Sequence, residues 1–285
     1  VLDRAAIAAQ NARLLQVDPS MHDLRALPST LDRARVEGWI EGLSQRPDRP
    51  LFDVEGKPVS AATLDAVVAD LALGAIPVQQ KTRYGLVVRR AALRTFPTTL
   101  RVFSEKGDTD IDRFQETAEF PGTPVAIVHE SADGQWLFVV SPRYAAWTEK
   151  DNVAEGSAAE VFGYADRTPY RVITGAVERT VFTREVPAVS QLPLDMGTRL
   201  PLATDLPPDQ PVNGQTPYAA HVLDLPLRKA DGTLGFTPAL LQKNTDTAAD
   251  YLPLTRANII RQAFKFLGER YGWGHAYDGR DCSGF

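Results

Sequence analysis

Cysteine is almost missing from this chain. The single one, Cys282, leaves no partner for an intrachain disulfide and excludes a cysteine-rich zinc site. Histidine is scarce as well. His22, His129, His221 and His275 lie far apart and show no ligand spacing, so each reads as a structural residue. No apolar run approaches the ~18 residues that a bilayer span needs, so no integral membrane span is expected. Positive charge is not in excess: 31 Lys and Arg stand against 36 Asp and Glu, a net charge of −5. That balance argues against a general polyanion or nucleic-acid binder. There is no glycine-rich phosphate loop ending in Lys-Ser or Lys-Thr, and no His-Glu-x-x-His pair. The acidic residues are dispersed, so a paired-carboxylate glycosidase has no support.

What remains is an ordinary globular composition. The chain has 285 residues, 44% of them apolar and 24% charged, enough for two or more domains with cores of their own. The first ~80 residues read as helical. Ser29 and Asp32 form a capping-box-like pair ahead of Val36, Trp39, Ile40 and Leu43, and Ser60 precedes the same stripe in Leu64, Val67, Val68 and Leu71. From Tyr84 the pattern changes to short strands at 86–88, 100–103, 125–128 and 136–140, divided by turn residues such as Pro121-Gly122 and Asp133-Gly134. Strands so short and closely spaced suggest a small barrel or sandwich. A second β-rich stretch runs from about Val161 to Leu241, with strands at 170–174, 180–183 and 219–223. Its proline-rich excursion at 192–217 reads as an extended surface loop. Five arginines between Arg83 and Arg101 read as a solvated basic face.

At Pro253 the texture changes again. Thr255 is placed to cap a helix whose apolar stripe is Ile259, Ile260, Ala263, Phe264 and Leu267. A glycine-rich polar loop follows, Tyr271-Gly-Trp-Gly-His-Ala-Tyr-Asp-Gly-Arg, and then Asp281-Cys282-Ser283-Gly284-Phe285. A lone cysteine is commonly a small buried apolar residue. Here it stands between two polar residues, and Asp281 is placed to cap a new helix starting at Cys282. A thiol at a helix N-terminus is favoured as the attacking thiolate. The residues alone leave both readings open.

Asp281-Cys282-Ser283-Gly284-Phe285, preceded by Tyr271-Gly272-Trp273-Gly274, resembles the nucleophile region of the NlpC-type papain-like cysteine peptidases of the bacterial cell wall. The tyrosine stands eleven positions ahead of the cysteine, with a helix before both. The upstream organisation is similar to that of the γ-D-glutamyl-L-diamino acid endopeptidases of that family. The resemblance is strong over the last fifteen residues and loose elsewhere. It implies an α+β multidomain fold: a helical N-terminal region over 1–83, SH3-like β-barrels over 84–158 and 159–252, and the start of a papain-like peptidase domain over 253–285, truncated after the nucleophile. Phe96-Pro97-Thr98, Trp136 and Tyr144-Ala-Ala-Trp147 would belong to the first SH3-like domain.

By the same resemblance Cys282 is the nucleophile, and its backbone N–H with the Tyr271 hydroxyl stabilises the oxyanion. Asp281 and Ser283 contact the substrate's amino end and D-glutamate carboxylate, and Tyr144 faces the substrate. The implied substrates are peptidoglycan stem peptides, L-Ala-γ-D-Glu-diamino acid, acted on in the periplasm or elsewhere outside the cytoplasm, with no metal or organic cofactor. In two respects the chain departs from the family pattern. His275 stands where a second glycine is usual. The base histidine, which the family places well downstream of the cysteine, is absent from the 285 residues, so the chain alone is expected to be inactive. Two other readings compete: a non-catalytic wall-binding SH3 module with a vestigial cysteine, and a papain-like acyltransferase.

Overall fold

The structure is a computed structural model that describes residues 2–207 and 209–284; Phe285, the last residue of the cysteine motif, lies outside them. Three helices open the chain: α1 (Arg4–Val17), α2 (Arg33–Leu43) and α3 (Ala61–Ala69). The expected Ser60 cap is present, its side chain accepting from the Thr63 amide at 3.1 Å. At α2 the capping differs from the expected pair. Asp32 alone caps it, accepting from the Arg35 amide at 2.8 Å, because Thr30–Asp32 is drawn into a short strand against Gln79–Lys81. Val36 and Ile40, one turn apart on α2, are wholly buried.

What they cover is a seven-stranded antiparallel sheet. Its order is Gln115–Glu119, Ala91–Arg94, Ala145–Glu149, Trp136–Val140, Pro124–Glu130, Arg83–Val87, Val153–Gly156. Side chains alternate across a strand, so each strand serves two cores. Ala126, Val128, Trp136, Phe138 and Val140 pack with the helical segment, among them Val36, Ile40 and Leu64. Val125, Ile127, Leu137 and Val139 pack on the opposite face with Val87, Leu93 and Val153. The run Trp136–Val140 is therefore buried at every position, which explains its unbroken apolar sequence.

Two expected strands are not strands, for one physical reason. Residues 100–103 make only an isolated bridge, Phe52 with Phe103. The buried Arg94 takes the carbonyls of Thr98 and Leu100 at 2.6 Å each, and the Asp112 carboxylate accepts from the Val102 amide at 3.2 Å. At 180–183 the Thr180 hydroxyl donates to the Val189 carbonyl at 2.6 Å, and the Ser190 hydroxyl accepts from the Thr183 amide at 2.9 Å. Side chains satisfy backbone groups that a ladder would otherwise pair. The expected basic face is also corrected. Arg90 and Arg94 are internal, paired with Asp195 and Asp112, and Arg83 forks onto Glu155.

The second β-rich stretch begins later than expected, because Val161 lies in a helix, α4 (Ala158–Asp166). Its capping box is Ser157 with Glu160, and it buries Val161 and Tyr164. Beyond it, Tyr170–Ile173 pairs with Arg199–Pro201 and Thr247–Ala248, Val177–Arg179 pairs with Pro193–Asp195, and Ala220–Arg228 forms a long hairpin with Leu234–Gln242. The excursion expected as loop thus contains two short strands. Ile173, Leu194, Leu200, Leu223 and Leu241 share its core. Leu234 from the hairpin joins Leu86, Val161 and Tyr164 in a cluster that ties this unit to the first sheet.

Thr255 caps α5 (Arg256–Ala263), accepting from the Asn258 amide at 3.1 Å. The polar side of this region faces the second β unit: Gln262 and Lys265 both donate to the Thr174 carbonyl, at 3.0 and 2.8 Å. Its apolar stripe points outward, with Ile260, Phe264 and Leu267 exposed.

Candidate active site

The loop that leads to Cys282 is folded back on itself. The Gly272 amide donates to the Arg280 carbonyl at 2.9 Å, and the His275 and Gly279 amides close turns onto Gly272 and Ala276 at 3.0 Å each. Tyr271 and Arg280 form a parallel bridge, so a residue eleven positions upstream is brought back to the cysteine. Gly274, His275, Tyr277 and Asp278 all have positive φ, between 55 and 63°. Three of these four are not glycine, and that conformation is held from outside. Gln115 donates to the Gly274 carbonyl at 2.7 Å, and the Trp273 indole donates to the Gln115 carbonyl at 3.1 Å. A Cβ at 274 would stand 2.9 Å from the Glu116 backbone, so only glycine lets the loop lie this close to the sheet edge. Tyr277 donates to the Thr109 carbonyl at 2.8 Å and meets Arg101.

Asp281 organises the turn that carries the thiol. One carboxylate oxygen accepts from the Ser283 amide at 3.0 Å, the Ser283 hydroxyl at 2.7 Å and the Gly284 amide at 2.9 Å. The other accepts from the Gly274 amide at 3.2 Å. Burial raises the Asp281 carboxyl, but these hydrogen bonds and His275 outweigh it and hold the group below its ordinary value. The expected helix is not seen among the described residues, where the motif makes a turn. Asp281 caps that turn. Cys282 is exposed and not disulfide-bonded. Tyr271 is exposed, and its hydroxyl is raised by desolvation and then by Cys282 and Asp281 beside it.

Ser283 and Gly284 line a cavity of about 610 Å³. Its wall also takes Glu116 and Tyr144 from far away in sequence, Asp195 and Arg199 from the second unit, and His275 and Arg280 from the loop itself. Tyr144 donates to Glu116 at 2.6 Å, and the other Glu116 oxygen accepts from Thr95. Burial first, then this hydrogen bond and the Glu116 charge, push the Tyr144 hydroxyl far up, so it serves as a donor and not as a base. His275 is buried, its ring edge-on to Phe120 at 5.9 Å and its Nδ1 3.4 Å from the Thr117 hydroxyl. Burial holds it below its ordinary value. Of the five sequence-derived residues, the cavity therefore gathers Tyr144 and Ser283. Asp281, Cys282 and Tyr271 stand on the adjoining turn and bridge, outside its lining. Glu116 and Arg280 carry no signature in the sequence; only the fold brings them here. Among the described residues no group of three or more His, Cys, Asp or Glu is placed to hold a metal, and no helix is long and apolar enough to cross a membrane.

Comparison with known proteins bears on this arrangement. Residues 101–149 match the SH3 domain family of the SH3b1 type. No curated protein sequence matches the chain. Among solved structures, an NlpC/P60 endopeptidase from Photobacterium damselae subsp. piscicida is similar over 99% of this chain, at 18% identity and a TM-score of 0.75. The chain spans 61% of that protein's length. An NlpC/P60 family protein from Bacillus cereus ATCC 10987 is similar over 70% of this chain and 69% of its own, at 20% identity and a TM-score of 0.50. At such identities the likeness is one of fold. The fold is mixed α/β and rich in strands, similar to that of these two NlpC/P60 proteins, and it includes the SH3b1-type match at 101–149.

Proposed function

We propose that this chain belongs to a cysteine peptidase acting outside the cytoplasm, which cleaves the bond between γ-D-glutamate and the following diamino acid in peptidoglycan stem peptides. The observation that carries the reading is the shared cavity, in which the turn after Cys282 faces Glu116 and Tyr144 of the first sheet. The first unit is read as one SH3-like domain, the second β unit as another, and residues from 253 onward as the start of the papain-like domain. Cys282 Sγ attacks the γ-carbonyl carbon. The oxyanion is taken by the Cys282 N–H and the Tyr271 hydroxyl. The C–N bond then breaks, the diamino acid leaves as a protonated amine, and water hydrolyses the thioester. Glu116 and Asp281 offer carboxylates to a free ammonium, Ser283 a hydroxyl to the D-glutamate carboxylate, and Tyr144 closes the end of the cleft. The family resemblance supplies the base as a histidine downstream of the cysteine.

The test uses the full-length protein with L-Ala-γ-D-Glu-diamino acid as substrate. Release of the free diamino acid, abolished by Cys282→Ala, is the expected result. Turnover that persists in Cys282→Ala, or binding to cell walls with no peptide cleaved, overturns the reading. Amines that capture the acyl group in place of water would show a transferase.

A further inference from the structure

The loop ahead of Cys282 is held by charges from both β units. Arg90, at the turn between Arg83–Val87 and Ala91–Arg94, donates to three of its carbonyls: His275 at 3.1 Å, Asp278 at 3.1 Å and Gly279 at 2.6 Å. The same guanidinium reaches Asp195 of the second unit at 2.7 Å. Arg280, two positions before the cysteine, places Nη1 2.8 Å from both Glu269 oxygens and donates through Nη2 to the Ala176 carbonyl at 2.6 Å. It meets the same Asp195 oxygen at 3.1 Å. All three side chains are nearly fully buried, Asp195 at 1% exposed.

We infer that Asp195, by neutralising Arg90 and Arg280 together, is a positioning residue that fixes residues 272–281 and with them the Asp281-Cys282 turn. Glu269 also faces Arg280, and Asp278 lies 3.7 Å from Arg90, but Asp195 is the anion between the two buried guanidinium groups, and its loss leaves their charges poorly compensated. Gln115 and Thr109 of the first unit also hold left-handed residues of the loop, Gly274 and Tyr277. Arg90 binds the carbonyls of the other two, His275 and Asp278. The second β unit therefore takes part in building the site although it supplies none of the groups assigned to the chemistry. The consequence for catalysis rests on the reading of Cys282 as nucleophile; the positioning itself does not.

The experiment is amide hydrogen exchange on the intact chain, with the alkylation rate of Cys282, its only cysteine, as a second readout. Asp195→Asn removes the anion. Arg280→Lys keeps the positive charge but loses the two nitrogens that hold Glu269 and Asp195 at once, and it decides the matter if the first variant does not fold. Glu155→Gln breaks the Arg83 ion pair elsewhere in the sheet and serves as control. Exchange at the Gly272, His275 and Gly279 amides should rise about tenfold or more in both junction variants, with amides of Trp136–Val140 unchanged. The Cys282 alkylation rate should change with it, and the control should do neither. Unchanged loop exchange, or acceleration shared equally by the central strands in Arg280→Lys, overturns the inference. Because no readout requires turnover, loop-specific exchange in this chain together with failure of the full-length protein to cleave peptide refutes the proposed function and leaves the positioning role standing.

Discussion

Tyr144 gives the sharpest handle on what the cavity selects. Its ring forms one wall, and its hydroxyl holds Glu116 at 2.6 Å, so removal of the ring and removal of the hydroxyl have separable consequences. A free substrate ammonium near Glu116 and Asp281 would gain a charge-assisted contact worth about 1.5–3 kcal/mol in a partly desolvated site, or roughly ten- to hundredfold in kcat/KM. N-acetylation removes that charge and adds bulk that must pass the ring. The assay compares kcat/KM for L-Ala-γ-D-Glu-diamino acid and its N-acetyl form in the full-length protein. Wild type should prefer the free peptide by that factor. Tyr144→Ala should raise activity on the acetylated peptide and narrow the gap, whereas Tyr144→Phe keeps the wall and most of the selectivity. The lost hydroxyl should cost Tyr144→Phe about 1.5 kcal/mol, the lower end of the range for bonds to charged groups, since the pair is only half-buried. Equal rates on the two peptides in wild type refute the closed-end model. Selectivity that survives Tyr144→Ala rejects Tyr144 as the wall.

Three further outcomes follow from the same geometry. All four histidines are held below their ordinary value of 6.5, in each case chiefly by burial, so the unfolded chain binds protons first as the pH falls. Stability should therefore drop from about pH 6.5 toward pH 5, by at most ~1.4 kcal/mol per pH unit for each full proton. Buried aspartates such as Asp195 and Asp224, raised by burial, act in the opposite sense, so the measure is Tm against pH beside His129→Gln; equal slopes in the two proteins reject the argument. Gly274→Ala places a methyl group 2.9 Å from the Glu116 backbone at positive φ and should destabilise the loop by about 1–3 kcal/mol, read as faster exchange at the His275 amide; wild-type exchange there would mean that the loop is not pinned to this edge. Asp281→Ala removes the acceptor for the Gly274, Ser283 and Gly284 amides and should speed their exchange about tenfold, with Asp281→Asn intermediate; no change would show that the turn stands without its cap.

Legibility in the sequence followed the range of the interaction. Caps and stripes are local, and Ser60, Thr255 and the 136–140 strand were readable because each signal lies within a few residues of its effect. The α4 helix has an equally local signal in Ser157 and Glu160, but Val161 and Phe162 give the same segment the composition of a strand. Residues 100–103 and 180–183 have strand composition, yet backbone groups in them are taken by side chains such as Arg94, Ser190 and Gln191. A run of arginines likewise looks solvated until Asp112 and Asp195 are brought to it from 18 and 105 residues away.

The site shows the same division more sharply. Asp281, Cys282 and Ser283 form a contiguous motif, and the Asp281 hydrogen bonds that shape it span no more than seven residues. The shape of the approach to that motif is set elsewhere. His275, Tyr277 and Asp278 have no intrinsic preference for the left-handed region strong enough to build this loop, and glycine at 274 permits the conformation without imposing it. What imposes it is Gln115, Thr109 and Arg90 from the first unit, with Asp195 of the second holding Arg90 and Arg280 in place. A polar loop with so many backbone groups near a sheet edge needs partners for them, and the two β units supply those partners across more than eighty residues of sequence. If Tyr144 faces the substrate and Cys282 attacks it, as proposed, the two can keep a fixed separation only if something rigid joins them. The buried Arg90–Asp195–Arg280 junction is that joint, which is why a variant at Asp195, remote from the assigned chemistry, is expected to reach Cys282.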